Sequence, residues 1–346
     1  MNQIHCFRPL ELTEAEFELF ESLTRRRFLI GAGALVLAGC GAPGASAPTA
    51  TVAATQMYKH VAGETEIPAK PERIVALSTY AWAWPITQLG GSLIGTDNSP
   101  EFIEALNELD PENAARIAEA TFIGGESGPN LETIASLNPD LIVGGWWNTD
   151  IYDTLSQIAP TVILDYRNET DIIAWQRSLI PLVGATDTSW FDTRVADYER
   201  RIGMLKAAYP DLWPTLEWVR MDAYETDVYV VDTIPFMPAR KVLSDLGAQQ
   251  SKTMGDTNAP RFEGAISLDL LPQFDADVIF LCENKDQPNS DVASILGGTF
   301  AGTRGQVFTT PSTKWNFCNV QSLHTALDEI ERLLSGRTID TSGDFR

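Results

Sequence analysis

Two adjacent tryptophans, Trp146 and Trp147, follow a predicted buried strand at the point where that strand must end. Residues 130–137 have the spacing of a short amphipathic helix, and residues 141–143, Leu-Ile-Val, form an apolar run typical of a parallel strand buried on both faces. In open α/β sheets, ligands bind beyond the carboxyl ends of the strands. The two indoles are therefore predicted either to form the wall of a ligand pocket or to pack in the core, as large aromatic rings commonly do.

Residues that perform covalent chemistry are not found at any familiar spacing. The sequence has no Gly-x-Ser-x-Gly turn, no phosphate-binding Gly-x-x-x-x-Gly-Lys loop and no pair of histidines at helical spacing. His60 and His324 are the only histidines beyond residue 39, and neither has a cysteine close by in the sequence. A histidine-rich site for bare zinc is therefore not expected, and both histidines are predicted to be surface or capping residues.

The composition is that of a large and strongly acidic protein. The 346 residues are 44% hydrophobic and carry a formal net charge of −22, which suits two domains with cores of ordinary size. Because an acidic surface repels phosphate backbones, nucleic acid is not an expected partner. Cys282 and Cys318 are the only cysteines beyond residue 40. They are too few for a disulfide framework, which leaves one bridge or two unpaired thiols.

The amino-terminal region has the features of an export signal followed by a tether. Arg25 and Arg26, followed by Phe-Leu and an apolar segment at 30–38, resemble a twin-arginine export signal. The sequence LAGC at 37–40 resembles a lipobox, which implies cleavage before Cys40 and a diacylglycerol on its sulfur. We predict a signal peptide at 1–39 and a flexible tether at 40–56. The alternative for the apolar segment is a buried helix.

Strands and helices alternate along the rest of the chain. This pattern predicts an α/β fold with mostly parallel sheets covered by helices. Residues 188–209 have apolar side chains three and four positions apart and no proline, which predicts one helix of roughly 30 Å. The predicted parts are an amino-terminal lobe, an interdomain helix, a carboxyl-terminal lobe and a polar tail, at 57–185, 186–210, 211–336 and 337–346. A cleft between two lobes is a favoured ligand site.

Several segments, taken in order, resemble periplasmic substrate-binding proteins of iron-siderophore ABC transporters. The segments are IPAKPERIVALS at 67–78, NLE at 130–132, PDLIV at 139–143, IAPTV at 158–162, VLSDLG at 242–247, ISLDLL at 266–271 and DADVIFL at 275–281. The resemblance covers about residues 57–336. It implies two Rossmann-like lobes joined by a single long rigid helix, the class III architecture of periplasmic binding proteins. It also implies a small closure on binding and delivery of the cargo to a membrane permease.

A ferric siderophore carries iron that the chelator already surrounds, so the resemblance implies no resident cofactor and no set of metal ligands. Such a cargo calls for aromatic walls and for arginine or lysine side chains that meet chelate oxygens. The candidate contacts follow predicted strands or begin the next helix. They are Trp82, Trp84, Trp146, Trp147, Tyr224, Phe236, Arg240, Arg261 and Trp315. For each of them, packing inside the protein is the alternative.

The family also includes vitamin B12 and haem binders, so the cargo is open at this stage. Haem would call for an axial tyrosine such as Tyr80 or Tyr224, because histidine is scarce. An exported enzyme or sensor on the same scaffold is a further alternative, and it would need a titratable pair in the cleft. We expect a monomeric lipoprotein without catalytic activity, anchored through Cys40 to the outer face of the cytoplasmic membrane.

Overall fold

The computed structural model describes residues 54–344, except 168, 225–226, 231–235, 255–265, 284–289, 312–314, 316, 335–336 and 338. The predicted signal peptide, with Arg25 and Arg26, lies outside this range, as do Cys40 and the tether up to residue 53. The described chain begins with an antiparallel hairpin of β1 (Thr55–His60) and β2 (Gly63–Pro68). Two residues predicted to belong to the tether are therefore part of a strand.

The first lobe is built on a parallel sheet of five strands. In spatial order these are β5 (Thr121–Phe122), β4 (Leu93–Thr96), β3 (Ile74–Ala76), β8 (Leu141–Gly145) and β9 (Thr161–Leu164). Strands β3, β8 and β9 are buried along their whole length, as their apolar sequences predict. All five strands run the same way, so their carboxyl ends meet at one edge of the sheet.

Short helices connect these strands. They are α1 (Trp84–Gln88), α2 (Pro100–Leu109), α3 (Pro111–Ala118), α4 (Leu131–Ser136), α5 (Tyr152–Ile158), α6 (Ile172–Ser178) and α7 (Ile180–Val183). A π-helical turn at Thr79–Ala83 precedes α1. A small hairpin of β6 (Gly124–Gly125) and β7 (Gly128–Pro129) follows β5. Asn130 caps α4 by accepting a hydrogen bond from the Thr133 amide at 2.8 Å.

The second lobe also contains a mostly parallel sheet with helices, and one edge strand of this sheet is antiparallel. Strand β10 (Glu217–Tyr224) pairs in parallel with β12 (Gln249–Gln250) and β13 (Val278–Glu283), and β13 pairs in parallel with β14 (Val307–Pro311). Strand β11 (Asp227–Val230) is antiparallel to β10. The helices of this lobe are α9 (Pro238–Leu246), α10 (Ser290–Leu296), α11 (Phe300–Thr303) and α12 (Val320–Leu334). The α/β fold with mostly parallel sheets is confirmed.

A single long helix, α8 (Ser189–Ala208), joins the two lobes. Most of its polar contacts are with the second lobe. Tyr198 donates to Asp245 at 2.7 Å, and Arg201 pairs with Asp328 at 2.6 Å. Among the described residues, no helix is long and apolar enough to cross a membrane.

His324 is buried against α8, although it was predicted to lie at the surface or to cap a helix. Its Nε2 lies 2.9 Å from the carbonyl oxygen of Arg194, and its ring is only 3% exposed. Burial lowers the pKa of this imidazole, which favours the neutral ring. The histidine therefore joins α12 to the connecting helix.

Residues of the predicted polar tail contact the second lobe. Asp340 pairs with Arg304 at 2.7 Å, and its amide donates to the side-chain oxygen of Gln306, also at 2.7 Å. The Gly343 amide donates to Asp277 at 3.3 Å. The described part of this segment therefore packs on the lobe rather than extending away from it.

Two glycine-to-alanine changes should alter stability in opposite directions. Gly203 lies on the exposed face of α8, where an added Cβ meets nothing within 4 Å, so Gly203→Ala should stabilise the protein by about 0.5–1 kcal/mol. Gly184 ends α7 at φ 63°, and a Cβ there would lie 2.3 Å from the carbonyl oxygen of Ala69. Gly184→Ala should cost more than about 1 kcal/mol. Urea unfolding measures both changes, and unchanged stability of Gly184→Ala would contradict this packing.

Candidate functional site

Polar and aromatic side chains gather where the strands of the first sheet end. The turn after β3 carries Ser78, Thr79 and Tyr80, and Asp97 follows β4. The segment after β8 is a 3₁₀ helix, Trp146–Ile151, and Tyr166 comes shortly after β9. Because the strands are parallel, all these side chains lie at the same edge of the sheet, which is the edge where open α/β sheets bind ligands.

Four aromatic rings form a continuous group that spans the two lobes, and we call Trp82, Trp147, Tyr166 and Phe236 the aromatic bridge. The rings of Trp82 and Trp147 stack with centroids 5.8 Å apart and planes at 17°. Tyr166 lies 5.8 Å from Trp82 and stacks on Phe236 at 5.2 Å and 15°. Phe236 belongs to the second lobe, so the bridge connects the two lobes.

Two indole N–H groups of the bridge lack a hydrogen-bond partner among the described residues. They belong to Trp82, which is completely buried, and to Trp147, whose nitrogen is buried although its ring is partly exposed. A buried donor without a partner costs about 1–3 kcal/mol. Of the two rings, that of Trp147 is the one that is partly exposed.

Trp146 forms the exposed rim beside the bridge. Its ring is 38% exposed and meets Trp147 edge to face at 5.6 Å. The guanidinium of Arg167 lies 4.2 Å from the centre of this ring, within the range of a cation–π contact. Arg167 also pairs with Asp165 at 2.6 Å. Its charge is therefore already matched by a neighbouring carboxylate.

Two carboxylates lie next to the bridge. Tyr80 donates to Oε1 of Glu126 at 3.2 Å, and the phenols of Tyr80 and Tyr166 interact electrostatically. Asp97 is buried and accepts hydrogen bonds from the amide and hydroxyl of Thr79. Burial and then the charge of Asp97 raise the pKa of Glu126 to about 7. Burial also raises the pKa of Asp97.

The second lobe contributes a buried ion pair below the bridge. Arg220 in β10 is completely buried and donates to both carboxylate oxygens of Asp222 at 2.9 and 3.0 Å. Its Nε also donates to the sulfur of Cys282 at 3.3 Å. The Cys318 thiol donates to the carbonyl oxygen of Phe236 at 3.1 Å. Both cysteines are thiols, with no disulfide between them, and burial raises the pKa of each, that of Cys318 to about 12.

Trp84 and Trp315, two of the predicted contacts, are completely buried among protein atoms. The indole of Trp84 donates to Asp110 at 2.8 Å and meets Phe317 of the second lobe edge to face at 5.0 Å. The ring of Trp315 packs on Phe280 at 4.9 Å. Both tryptophans therefore occupy packing positions in this structure.

The other predicted contacts are distributed as follows. Trp82, Trp147 and Phe236 lie together in the bridge with Trp146 at its rim, although Trp82 and Phe236 are themselves fully buried. Tyr224 is the last residue of β10. Arg240 lies partly buried in the first turn of α9, and Arg261 falls outside the described residues.

Sequence reasoning missed several members of this site. Tyr166 follows β9 just as Trp146 follows β8, so the rule that ligands bind beyond strand ends could have identified it. Asp97 follows β4 in the same way. Glu126 has no such signal, because it lies in the turn between β6 and β7 and is one of 47 acidic residues.

The described residues include no group of three or more His, Cys, Asp or Glu side chains placed to hold a metal ion. The groups at this edge are aromatic faces, indole N–H donors, phenol hydroxyls and two carboxylates. Such a set suits the binding of a bulky organic molecule, in which few polar contacts orient a mostly apolar ligand.

Two α/β lobes joined by one long helix, with aromatic side chains between them, define a two-lobed binding protein. The family model described as "periplasmic binding protein" matches residues 75–312, which is most of the chain. The chain therefore belongs to the periplasmic binding protein family. The relationship expected from the sequence motifs is confirmed.

Named relatives include two proteins of Bacillus subtilis strain 168. The probable siderophore-binding lipoprotein YfiY is 28% identical over 255 residues, which cover 71% of this chain and 74% of YfiY. The Fe(3+)-citrate-binding protein YfmC is 25% identical over 280 residues, which cover 78% of this chain and 82% of YfmC.

Solved structures of similar fold include two from staphylococci. The FhuD protein of S. pseudintermedius has a TM-score of 0.66 at 20% identity, covering 82% of this chain and 99% of that protein. Staphylococcus aureus SirA complexed with staphyloferrin B has a TM-score of 0.64 at 22% identity, covering 83% of this chain and all of SirA. At these identities the likeness supports the fold.

Glu126→Gln should remove a pH-dependent loss of stability. Because folding raises the pKa of this carboxyl from 4.5 to about 7, the folded protein keeps a proton that the unfolded chain has already lost. Below about pH 4.5 this carboxyl makes its full contribution to the free energy of unfolding. The contribution is lost as the pH rises through 7, which lowers the free energy of unfolding by on the order of 2 kcal/mol. Urea unfolding from about pH 5 to about pH 8 should therefore show a shallower decline for the variant. The exposed Glu119→Gln is the control, and equal slopes in all three proteins would contradict this assignment.

Proposed function

We propose that the protein is the substrate-binding lipoprotein of an ABC importer and that it captures a ferric-siderophore complex in the cleft between its lobes. The observation that carries this proposal is the aromatic bridge, which places Trp147 and Tyr166 of the first lobe and Phe236 of the second at the edge where the fold binds ligands. The names of YfiY and YfmC, a siderophore binder and a ferric-citrate binder, support a ferric chelate as cargo.

We infer that binding involves no covalent chemistry and no resident cofactor. The cargo brings its own iron, so the protein needs surfaces for the organic shell and not ligands for the metal. Trp146, Trp147 and Tyr166 supply aromatic faces, while the indole N–H of Trp147 and the hydroxyl of Tyr80 supply polar contacts. The loaded protein then delivers the complex to the permease of the importer.

The export route follows from the amino-terminal motifs. Arg25 and Arg26 direct the precursor to the twin-arginine pathway, and cleavage before Cys40 leaves a lipid on the first residue of the mature chain. The protein is then held on the outer face of the cytoplasmic membrane, in the periplasm or at the cell surface, as a monomer that does not bind nucleic acid. YfiY, whose name describes a lipoprotein, supports this arrangement.

Tryptophan fluorescence should report cargo binding directly. Purified protein spanning residues 41–346 should show saturable quenching when it is titrated with one class of ferric chelate among hydroxamate, catecholate and citrate complexes. Trp147→Ala should weaken the affinity by about tenfold, equivalent to about 1.4 kcal/mol, because it removes a ring that stacks at the strand ends. Trp190→Ala is the control, since that indole is 40% exposed at the start of α8.

The same titration includes cobalamin and haem. Quenching by either of these alone would retain the binding fold and overturn the ferric cargo. No response to any of the five compounds would overturn transport of this whole class of cargo.

Cys40→Ala should release the protein from membranes. Without the sulfur there is no site for the diacylglycerol, and a single lipidated residue is the only anchor proposed. Cell fractionation with an antibody against the folded body measures the partition between membrane and soluble fractions. Wild-type protein should sediment with membranes, and a variant that still does so would contradict the lipid anchor.

A further inference from the structure

Glu126 lies beside the aromatic bridge, at the edge of the first sheet where its strands end. Its Oε1 accepts a hydrogen bond from Tyr80, which also interacts electrostatically with Tyr166 of the bridge. Its main-chain carbonyl oxygen accepts a hydrogen bond at 3.1 Å from the side-chain amide of Asn148, the residue directly after Trp147. The carboxylate is therefore held beside the rings rather than on the outer surface of the lobe.

The turn that carries Glu126 has a fixed shape. Gly124 has φ 93°, and an added Cβ would lie 2.9 Å from the carbonyl oxygen of Gly128 and 3.0 Å from the Asn130 amide nitrogen. Only glycine is accommodated at that position without strain. The tight turn fixes Glu126 at the edge of the sheet.

The charge at this wall is negative. Asp97 is the charged group that acts on Glu126, and none of the groups that shift the pKa of either carboxyl within the described chain is a lysine or an arginine. Arg167 and Arg220, the arginines in contact with the rim and below the bridge, are paired with Asp165 and Asp222. The two carboxylates therefore lie close to each other, and no described lysine or arginine pairs with either of them.

This arrangement favours some ferric complexes over others. A partly buried carboxylate beside a second carboxylate is costly to ionise, and a positive group or an N–H donor from the ligand removes that cost. A polyanionic complex, such as one built from citrate or catecholate groups, would add further negative charge at the same place. The electron-rich faces of Trp146 and Trp147 also attract cations.

We propose that the first-lobe wall of the cleft selects ferric complexes of positive charge, such as trishydroxamates that carry an ammonium group, and that Glu126 contacts that group. The assignment rests on the proposed function and defines the class of cargo within it. Glu126 is then a specificity-determining residue, and Asp97 and Tyr80 position it.

Ferrioxamine B and its N-acetylated form provide a matched pair of probes, because they share three hydroxamates and differ by one positive charge. At about pH 8 the wild-type protein should bind the cationic form roughly tenfold more tightly than the acetylated form. Glu126→Gln should reduce this ratio to about one, since it removes the charge and keeps the shape. Glu119→Gln should keep the wild-type ratio, because Glu119 is exposed and precedes β5 at the opposite edge of the sheet.

The ratio should also fall as the pH is lowered from about 8 to about 6, because protonated Glu126 loses its attraction for the ammonium group. The groups that face this carboxyl are Asp97, Tyr80 and Ser78, and Tyr166 acts through Tyr80. The pKa of Glu126 is raised to about 7, so its charge changes across this range of pH. The Glu126→Gln protein should therefore show no such pH dependence of the ratio.

Three results would overturn this assignment. Equal or tighter binding of the acetylated complex by wild-type protein would do so, as would tighter binding of ferric citrate or a ferric catecholate than of either hydroxamate. Both of these results would leave ferric-chelate capture itself intact. Failure of every ferric complex to bind, whatever its charge, would instead overturn the proposed function together with the assignment.

Discussion

Phe236 is completely buried, and aromatic side chains from the other lobe cover its ring. Tyr166 stacks on one face of its ring at 5.2 Å, and Trp175 meets it edge to face at 5.1 Å. Neither lobe could remove these aromatic surfaces from water alone, and burial of a large ring contributes roughly 1.5–3 kcal/mol. The contact between Trp84 of the first lobe and Phe317 of the second buries aromatic surface in the same way. The relative position of the lobes, and so the shape of the ligand site, depends on this mutual burial of aromatic surface.

The charges around the site follow from the cost of burial. A guanidinium enclosed in a protein core costs several kcal/mol unless a carboxylate accompanies it. Asp222 lies two residues after Arg220 on the same face of β10 and accepts two hydrogen bonds from it. By contrast, Glu126 and Asp97 lie together with hydroxyl and amide donors only. The second lobe thus holds a neutralised pair, while the first lobe holds an excess of negative charge beside the aromatic rings.

The alternation of strands and helices was predictable because each element carries its own local signal. The sequence patterns at the apolar strand β8 and the helix α8 predict these elements, and both form in the structure. The orientation of individual rings was not predictable in the same way. Trp82 and Trp84 are two residues apart, yet a π-helical turn precedes α1, and the two indoles meet different partners. Glu126 could not be identified because its role depends on Asp97 and Tyr80, which approach it only in the folded chain.

The connecting helix α8 is attached much more firmly to one lobe than to the other. Tyr198 and Lys206 bind Asp245, and Arg201 binds Asp328, all within the second lobe. The first turn of the helix contacts the first lobe, where Asp192 pairs with exposed Arg177. The helix and the second lobe therefore form one packed unit, and the chain joins this unit to the first lobe through the few residues just before Ser189.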